Sequence, residues 1–146
     1  PGCYCYANNV LKAVLGEMCS QYPFVVLDNE AGLENLSRRI VNKVNLLVIV
    51  ADPSNSGFQT AVRLRMLADE MGIIFDRLAL VINRVRREIP YERLDEIKAK
   101  TGADIVLVMP DNSELAEVWE EGGSIKDVSE ENEVKRQVDA FIKKII

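Results

Sequence analysis

Cys3 and Cys5 stand one residue apart in the opening run Pro1-Gly2-Cys3-Tyr4-Cys5-Tyr6. Thiolates at this spacing can share a soft metal ion, but a closed tetrahedral site takes four ligands. The chain has no histidine to complete the set, and its remaining cysteine, Cys19, lies further on in a helical pattern that marks it as a core residue. A two-fold axis would bring four sulfurs together from two chains, and two-fold dimers are the commonest soluble oligomers. The pair therefore suggests a soft-metal site shared across a dimer. Two reduced thiols that hold nothing are the other reading of the same spacing.

A second set of polar residues follows short apolar runs. Residues 24–27, 46–50, 78–82 and 105–109 are continuous stretches rich in valine, leucine and isoleucine. They are followed by Asp28-Asn29-Glu30-Ala31-Gly32, Ala51-Asp52-Pro53-Ser54, Asn83-Arg84-Val85 and Pro110-Asp111-Asn112. Carboxylates in such places can hold Mg²⁺ directly or through water. An asparagine amide can pair with the ring and exocyclic nitrogens of a base. Asp, Asn, Ser and Pro are also ordinary turn and cap residues, so each position taken singly has a plain structural use.

Unbroken apolar runs suit strands buried on both faces, as in a parallel sheet. Helical patterns fill the intervals. Residues 33–44 form one, residues 58–71 a second with Ala61, Leu64, Ala68 and Met71 on one face and Gly72 placed to end it, and residues 91–100 a third with Leu94 and Ile97 inward. Before the first run, Val10, Leu11, Val14, Leu15 and Met18 make a helical stripe; residues 112–121 and a stretch from about Ser129 to the end are helical too. Gly122-Gly123 separates two helices, not two domains. The expectation is one α/β domain with a four-stranded parallel sheet, whose ligand lies beyond the carboxyl ends of the strands.

Composition narrows the function. At 146 residues the chain has a single-domain length, with 48% hydrophobic and 28% charged residues. The net charge of −5 argues against non-specific nucleic-acid binding. Arg84, Arg86 and Arg87, the one basic cluster, read as a solvated loop. No apolar run approaches the roughly 20 residues that cross a membrane, and no signal peptide is seen, so a cytoplasmic location is expected. Three cysteines, two of them nearly adjacent, do not make a secreted disulfide framework. The lack of histidine removes Ser-His-Asp and Cys-His chemistry. Trp119, Tyr4 and Tyr6 read as packing or interface residues.

Taken together, these motifs resemble one family. The segment from Phe24 to Gly32 is similar to the Walker B and switch II stretch of the MinD/ParA-like (SIMIBI) P-loop ATPases, with Asn29-Glu30 where those proteins commonly carry Thr-Pro. Val81-Ile82-Asn83-Arg84 resembles the strand end that contacts adenine there, and Val108-Met109-Pro110-Asp111 the later loop that flanks the base. Within that branch, Gly2-Cys3-Tyr4-Cys5 resembles the accessory ATPases that mature nickel-containing carbon monoxide dehydrogenase, the CooC type. The sequence contains no Gly-x-x-x-x-Gly-Lys-Ser/Thr and no Lys-Gly-Gly variant of it. The resemblance therefore covers the carboxyl-terminal part of a single MinD-like ATPase domain over residues 1–146, lacking the P-loop.

What the resemblance implies is ATP-driven nickel delivery. ATP or ADP with Mg²⁺ would be the cofactor, and a homodimer would hold Ni²⁺ or Zn²⁺ between cysteine pairs. Cys3 and Cys5 would be the metal ligands. Asp28 would hold the water shell of Mg²⁺, and Gly32 would supply an amide near the γ-phosphate. Asn83, Pro110 and Asp111 would frame the adenine. The client would be nickel-dependent carbon monoxide dehydrogenase, with no nucleic acid and no membrane as partner. No catalytic residue falls in this chain, because the phosphate loop and its lysine are expected to precede it; the chain alone would be inactive. In that topology the P-loop strand lies between runs 24–27 and 46–50, so these two would flank a gap and expose their apolar walls. The alternatives are a non-enzymatic metal-binding dimerisation module, another MinD/ParA-like ATPase, or a signalling receiver with Asp28 or Asp52 as phosphoacceptor. A receiver calls for a lysine at the end of its last strand, where this chain has Met109-Pro110-Asp111.

Overall fold

The computed structural model describes residues 5–29 and 43–145, and of residues 5–9, 11, 12 and 19 the backbone alone. Helix α1 (Cys5–Gln21) comes first. The chain then alternates through β1 (Lys43–Ala51), α2 (Asn55–Glu70), β2 (Ile74–Val85), α3 (Tyr91–Thr101) and β3 (Ile105–Pro110). Helix α4 (Ser113–Glu120), a 3₁₀ turn (Ile125–Asp127) and α5 (Glu133–Ile145) complete it. The three strands form one parallel sheet in the order β1-β2-β3.

Parallel strands joined by helices bury their central member on both faces. Strand β2 does so: Leu78, Leu80 and Ile82 point to one face and Ala79 and Val81 to the other, all buried. The first face meets Phe58 and Ala61 of α2 and Ile97 of α3, with Ile49 of β1 in the same cluster. Ala61 and Ala68, both fully buried, put only methyl groups on the inner face of α2, so the helix can lie close to the sheet. The second face is smaller, with Val81 and Met109 packed by Val134, Leu115 and Val138. Asp104 pins β3 to β2 at their start. Its Oδ2 accepts from the Leu78 amide at 2.8 Å, and its own amide donates to the Leu78 carbonyl at 2.9 Å.

Gly72 ends the α2 turn as the sequence suggests, at φ 69°. Gly102 closes α3 at φ 66°, with its amide on the Lys98 carbonyl. Both sit in the left-handed region that glycine enters without a Cβ penalty.

Residues 24–27 do not form a fourth strand; they are irregular and pair with nothing. Val26 is 90% exposed and Phe24 62%. The physical reason is the absence of a neighbour: among the described residues no strand lies beside the run or on the free edge of β1, so its backbone groups have no ladder to join. Val48 and Val50, on the β1 face turned away from α2, are exposed in the same way. The helix expected over 33–44 is contradicted only at its end. Residues 33–42 lie outside the described residues, and Lys43 and Val44 already belong to β1, paired with Ile74 and Phe75. Val10, Val14 and Met18 of α1 are also exposed, so the stripe forms a helix but buries little. Trp119 on α4 is 57% exposed and does not act as a packing residue within the chain.

Candidate functional site

The carboxyl ends of β1, β2 and β3 lie on one side of the sheet, because all three strands are parallel. Three of the four polar segments picked out in the sequence are thereby brought to one edge. The fourth, at Asp28, does not end a strand; Asp28 is exposed in the irregular stretch after α1. Gly32 and Cys3 lie outside the described residues, as does the side chain of Cys5. Among the described residues no cluster of three or more Cys, Asp or Glu side chains could hold a metal.

The end of β2 is built around a bulge. The pairing with β3 runs in register from Ala79↔Ile105 to Ile82↔Val108, then shifts so that Val85 faces Pro110. Asn83 and Arg84 fall in the shifted stretch. Arg84 takes φ 59°, a left-handed backbone uncommon for a residue with a side chain. The Asn83 Oδ1 accepts from the Arg84 amide at 2.9 Å and so stabilises that turn. Bulges at strand ends re-aim side chains and recur beside functional sites. The Asp111 amide donates to the Val85 carbonyl at 3.0 Å, so the loop after β3 is stitched to the bulge of β2. Asn83, Pro110 and Asp111 are thus held at neighbouring strand ends by backbone bonds.

Beside them lies an open groove of about 300 Å³ lined by Val85, Val108 and Pro110, the Arg86–Glu88 stretch, and Glu133 and Gln137 of α5. Its walls are part apolar and part charged, and its size suits a nucleobase. Of the three residues singled out in the sequence, Pro110 lines it, and Asn83 and Asp111 do not. Arg86 donates from Nε to the Asp111 Oδ2 at 2.7 Å. This basic stretch is solvent-exposed, as its composition suggests, yet one of its members ties down the loop after β3. The pair is exposed and contributes on the order of 1 kcal/mol or less, so its use is orientation.

The end of β1 is rigid for a different reason. The Asp52 Oδ1 accepts from the Ser54 amide at 2.8 Å, and the Ser54 Oγ accepts from the Gly57 amide at 2.9 Å, capping α2. Hydrogen bonds from the Ser54 side chain and backbone hold the Asp52 carboxyl below the ordinary aspartate range. Arg93 of α3 reaches across to this loop, donating to the Pro53 carbonyl at 3.0 Å and to the Asn55 Oδ1 at 2.8 Å. Its guanidinium also lies 4.6 Å from the centroid of the Phe58 ring. Neither Arg93 nor Gly57 stands out in the sequence as a site residue. A glycine in the first turn of a helix is the one available signal, since it lowers helix propensity there by about 1 kcal/mol.

The loop after β3 has a support of its own. The Asn112 Oδ1 caps α4, accepting from the Leu115 amide at 3.0 Å. It also accepts from the Nδ2 of Asn132, a nearly buried residue immediately before α5, at 2.9 Å. The same Nδ2 donates to the Glu114 Oε2 at 2.7 Å, and the Glu114 Oε1 accepts from the Ser129 amide at 2.6 Å. Bonds from Asn132 and then Ser129 hold the Glu114 carboxyl below the ordinary glutamate range.

No protein-family model matches the chain. It is 38% identical over 146 residues to an uncharacterized ATP-binding protein of Methanocaldococcus jannaschii, an alignment that covers 99% of this chain and 57% of that relative. It is 34% identical over 73 residues to the carbon monoxide dehydrogenase accessory protein CooC of Rhodospirillum rubrum, covering 49% of this chain and 28% of that protein. Its fold matches the MinD cell division protein of Aquifex aeolicus with a TM-score of 0.74 at 19% identity, over 94% of this chain and 60% of that one. The chain spans a little over half the length of the relative it matches along its whole extent.

Proposed function

From its standing as a MinD/ParA-like chain in sequence and fold, with a partial likeness to CooC, we propose that these residues form the base-binding side of an adenine-nucleotide-dependent ATPase that delivers nickel to carbon monoxide dehydrogenase. The observation that supports it most is the stitched pair of strand ends. Asn83 at the β2 bulge and Pro110-Asp111 after β3 stand together, joined through the Val85 carbonyl, beside a groove of nucleobase size. Asn83 would read the base through its amide, Pro110 would give an apolar surface to its ring, and Asp111 would be oriented by Arg86.

Asp28 would serve Mg²⁺. That ion keeps several waters and is held by one or two carboxylates together with substrate phosphates, so a single exposed carboxylate suits it. Gly32 would lend an amide near the γ-phosphate. The phosphate-gripping lysine is not in this sequence, and the chain by itself would not hydrolyse ATP. Nickel, or zinc in its place, would be the cargo, bound by Cys3 and Cys5 of two protomers. Nucleotide binding would close the dimer and assemble that site, and hydrolysis would open it. Among the described residues no helix is long and apolar enough to cross a membrane, and a cytoplasmic place of action fits the proposed role.

The test is base preference in the protein expressed from its complete coding sequence. Competition of ATP and GTP against a fluorescent adenine nucleotide should show tighter binding of ATP. Equal affinity for the two bases, or no binding of either, would remove the reading.

A further inference from the structure

Asn132 joins three segments that are distant in sequence. Its Oδ1 accepts from the Val134 and Lys135 amides, at 3.0 and 3.2 Å, and so caps α5. Its Nδ2 uses both protons on the far side, on the Asn112 Oδ1 at 2.9 Å and the Glu114 Oε2 at 2.7 Å. The residue is 5% exposed. A buried amide with every hydrogen-bonding group matched is specific in its geometry, since a partner lost inside the protein leaves a costly orphan. Asn112 follows Asp111 directly, and the Asp111 amide is bound to the bulge of β2. A hydrogen-bonded path from the α5 cap to the base-flanking loop therefore runs through this side chain, beside the packing of Val134 and Val138 near Met109.

We propose that Asn132 is a positioning residue for the base-binding loop: by anchoring Asn112 and Glu114 to the start of α5, it fixes Pro110 and Asp111 against Asn83. This rests on the base-binding reading above. α5 also brings Glu133 and Gln137 to the wall of the same groove, so the side chain that sets the loop sets the opposite wall as well. An ordinary helix cap would need only the Oδ1 bonds. The two Nδ2 bonds do nothing for α5 and are what the proposal turns on.

Those two roles can be separated. Asn132→Asp keeps an acceptor for the α5 cap, since aspartate caps as well as asparagine. It removes the donor and sets a carboxylate against Glu114. Asn132→Asp combined with Glu114→Gln restores a donor from the opposite side. Asn132→Ser keeps a cap and is too short to reach Asn112. The measurements are adenine-nucleotide affinity in the protein from its complete coding sequence and hydrogen exchange at the Asp111 and Leu115 amides. Asn132→Asp and Asn132→Ser should weaken the nucleotide about three- to tenfold, the range of one or two net hydrogen bonds. They should speed exchange at Asp111 and Leu115 while the β2 amides from Leu78 to Ile82 stay protected. The double variant should recover both affinity and protection in part, because a glutamine at position 114 can donate to an aspartate at position 132 while the Asn112 Oδ1 stays without its donor from residue 132.

If the melting temperature falls while affinity and Asp111 exchange stay at wild-type values, Asn132 is only a cap and the proposal is overturned. If Asn83→Ala weakens the nucleotide and neither Asn132 variant does, the positioning role alone fails. If Asn83→Ala also changes nothing, the base-binding reading fails and takes this proposal with it.

Discussion

Gly57 is pressed against Asp52: a Cβ on residue 57 would lie 2.4 Å from the Asp52 carbonyl oxygen and 2.7 Å from its Oδ1. The nearest atom is backbone, so it cannot swing aside. The first turn of α2 and the end of β1 meet here, and the Ser54 hydroxyl that caps the helix is bound to the Gly57 amide itself. Gly57→Ala should therefore destabilise the fold, in spite of alanine's better helix propensity, by about 1–3 kcal/mol as expected for overpacking. Denaturant unfolding reads this as a lower midpoint at constant slope. An unchanged or raised midpoint would mean that the β1 loop can move away freely.

Arg93 holds the same loop from the other side. Its two hydrogen bonds and its stacking on Phe58 act together, and removal by Arg93→Ala should cost about 1–3 kcal/mol. Arg93→Lys should recover little, because an ammonium cannot keep the planar fork and the ring contact at once. Full recovery of the unfolding midpoint by lysine would show that charge alone is what counts there.

Glu114 gives a pH dependence. Its folded carboxyl titrates below the ordinary glutamate range because Asn132 and Ser129 donate to the charged form. A carboxyl whose folded pKa is depressed stabilises the fold above its unfolded pKa and loses that contribution as pH falls through the folded value. The deficit of Glu114→Gln should therefore stay constant from neutral pH down to the ordinary glutamate range, narrow as pH falls below it, and vanish once Glu114 of the wild type is protonated in both the folded and the unfolded state. Urea midpoints between neutral pH and the acid limb test this; a deficit that is constant across the range would contradict it.

The cysteine pair sets a stoichiometry. Cys3 and Cys5 supply two thiolates per chain, so a four-sulfur site needs two chains. Titration with Zn²⁺ or Ni²⁺ should saturate at one metal per two chains, and Cys3→Ser with Cys5→Ser should abolish binding. Saturation at one metal per chain, or binding that survives the double change, would sink the shared site.

The legible part of this fold was what local pattern dictates. Runs 46–50, 78–82 and 105–109 became β1, β2 and β3 because each is apolar on both faces and finds a parallel neighbour. Gly72 marked its helix end because only a left-handed residue closes that turn. Run 24–27 carries the same composition and stayed irregular, since a strand exists only beside another strand and composition cannot supply one. Asn83, Pro110 and Asp111 were visible as polar residues after apolar runs. The register shift that couples them through Val85 was not, because a bulge depends on which strands pair and where. Arg93 and Asn132 escaped for the same reason. Arg93 looks like an exposed helix residue and Asn132 like a cap, and only tertiary structure brings them to the loops they hold.

If Asn83 reads the base of an adenine nucleotide at the β2 bulge, its loss must weaken the nucleotide and spare the metal. Calorimetry of ATP and of Ni²⁺ on the protein from its complete coding sequence, wild type against Asn83→Ala, tests it most directly. ATP affinity should fall by about tenfold, as for a lost hydrogen bond, with preference over GTP reduced and metal affinity unchanged. ATP affinity equal to the wild type in a folded Asn83→Ala protein would contradict it.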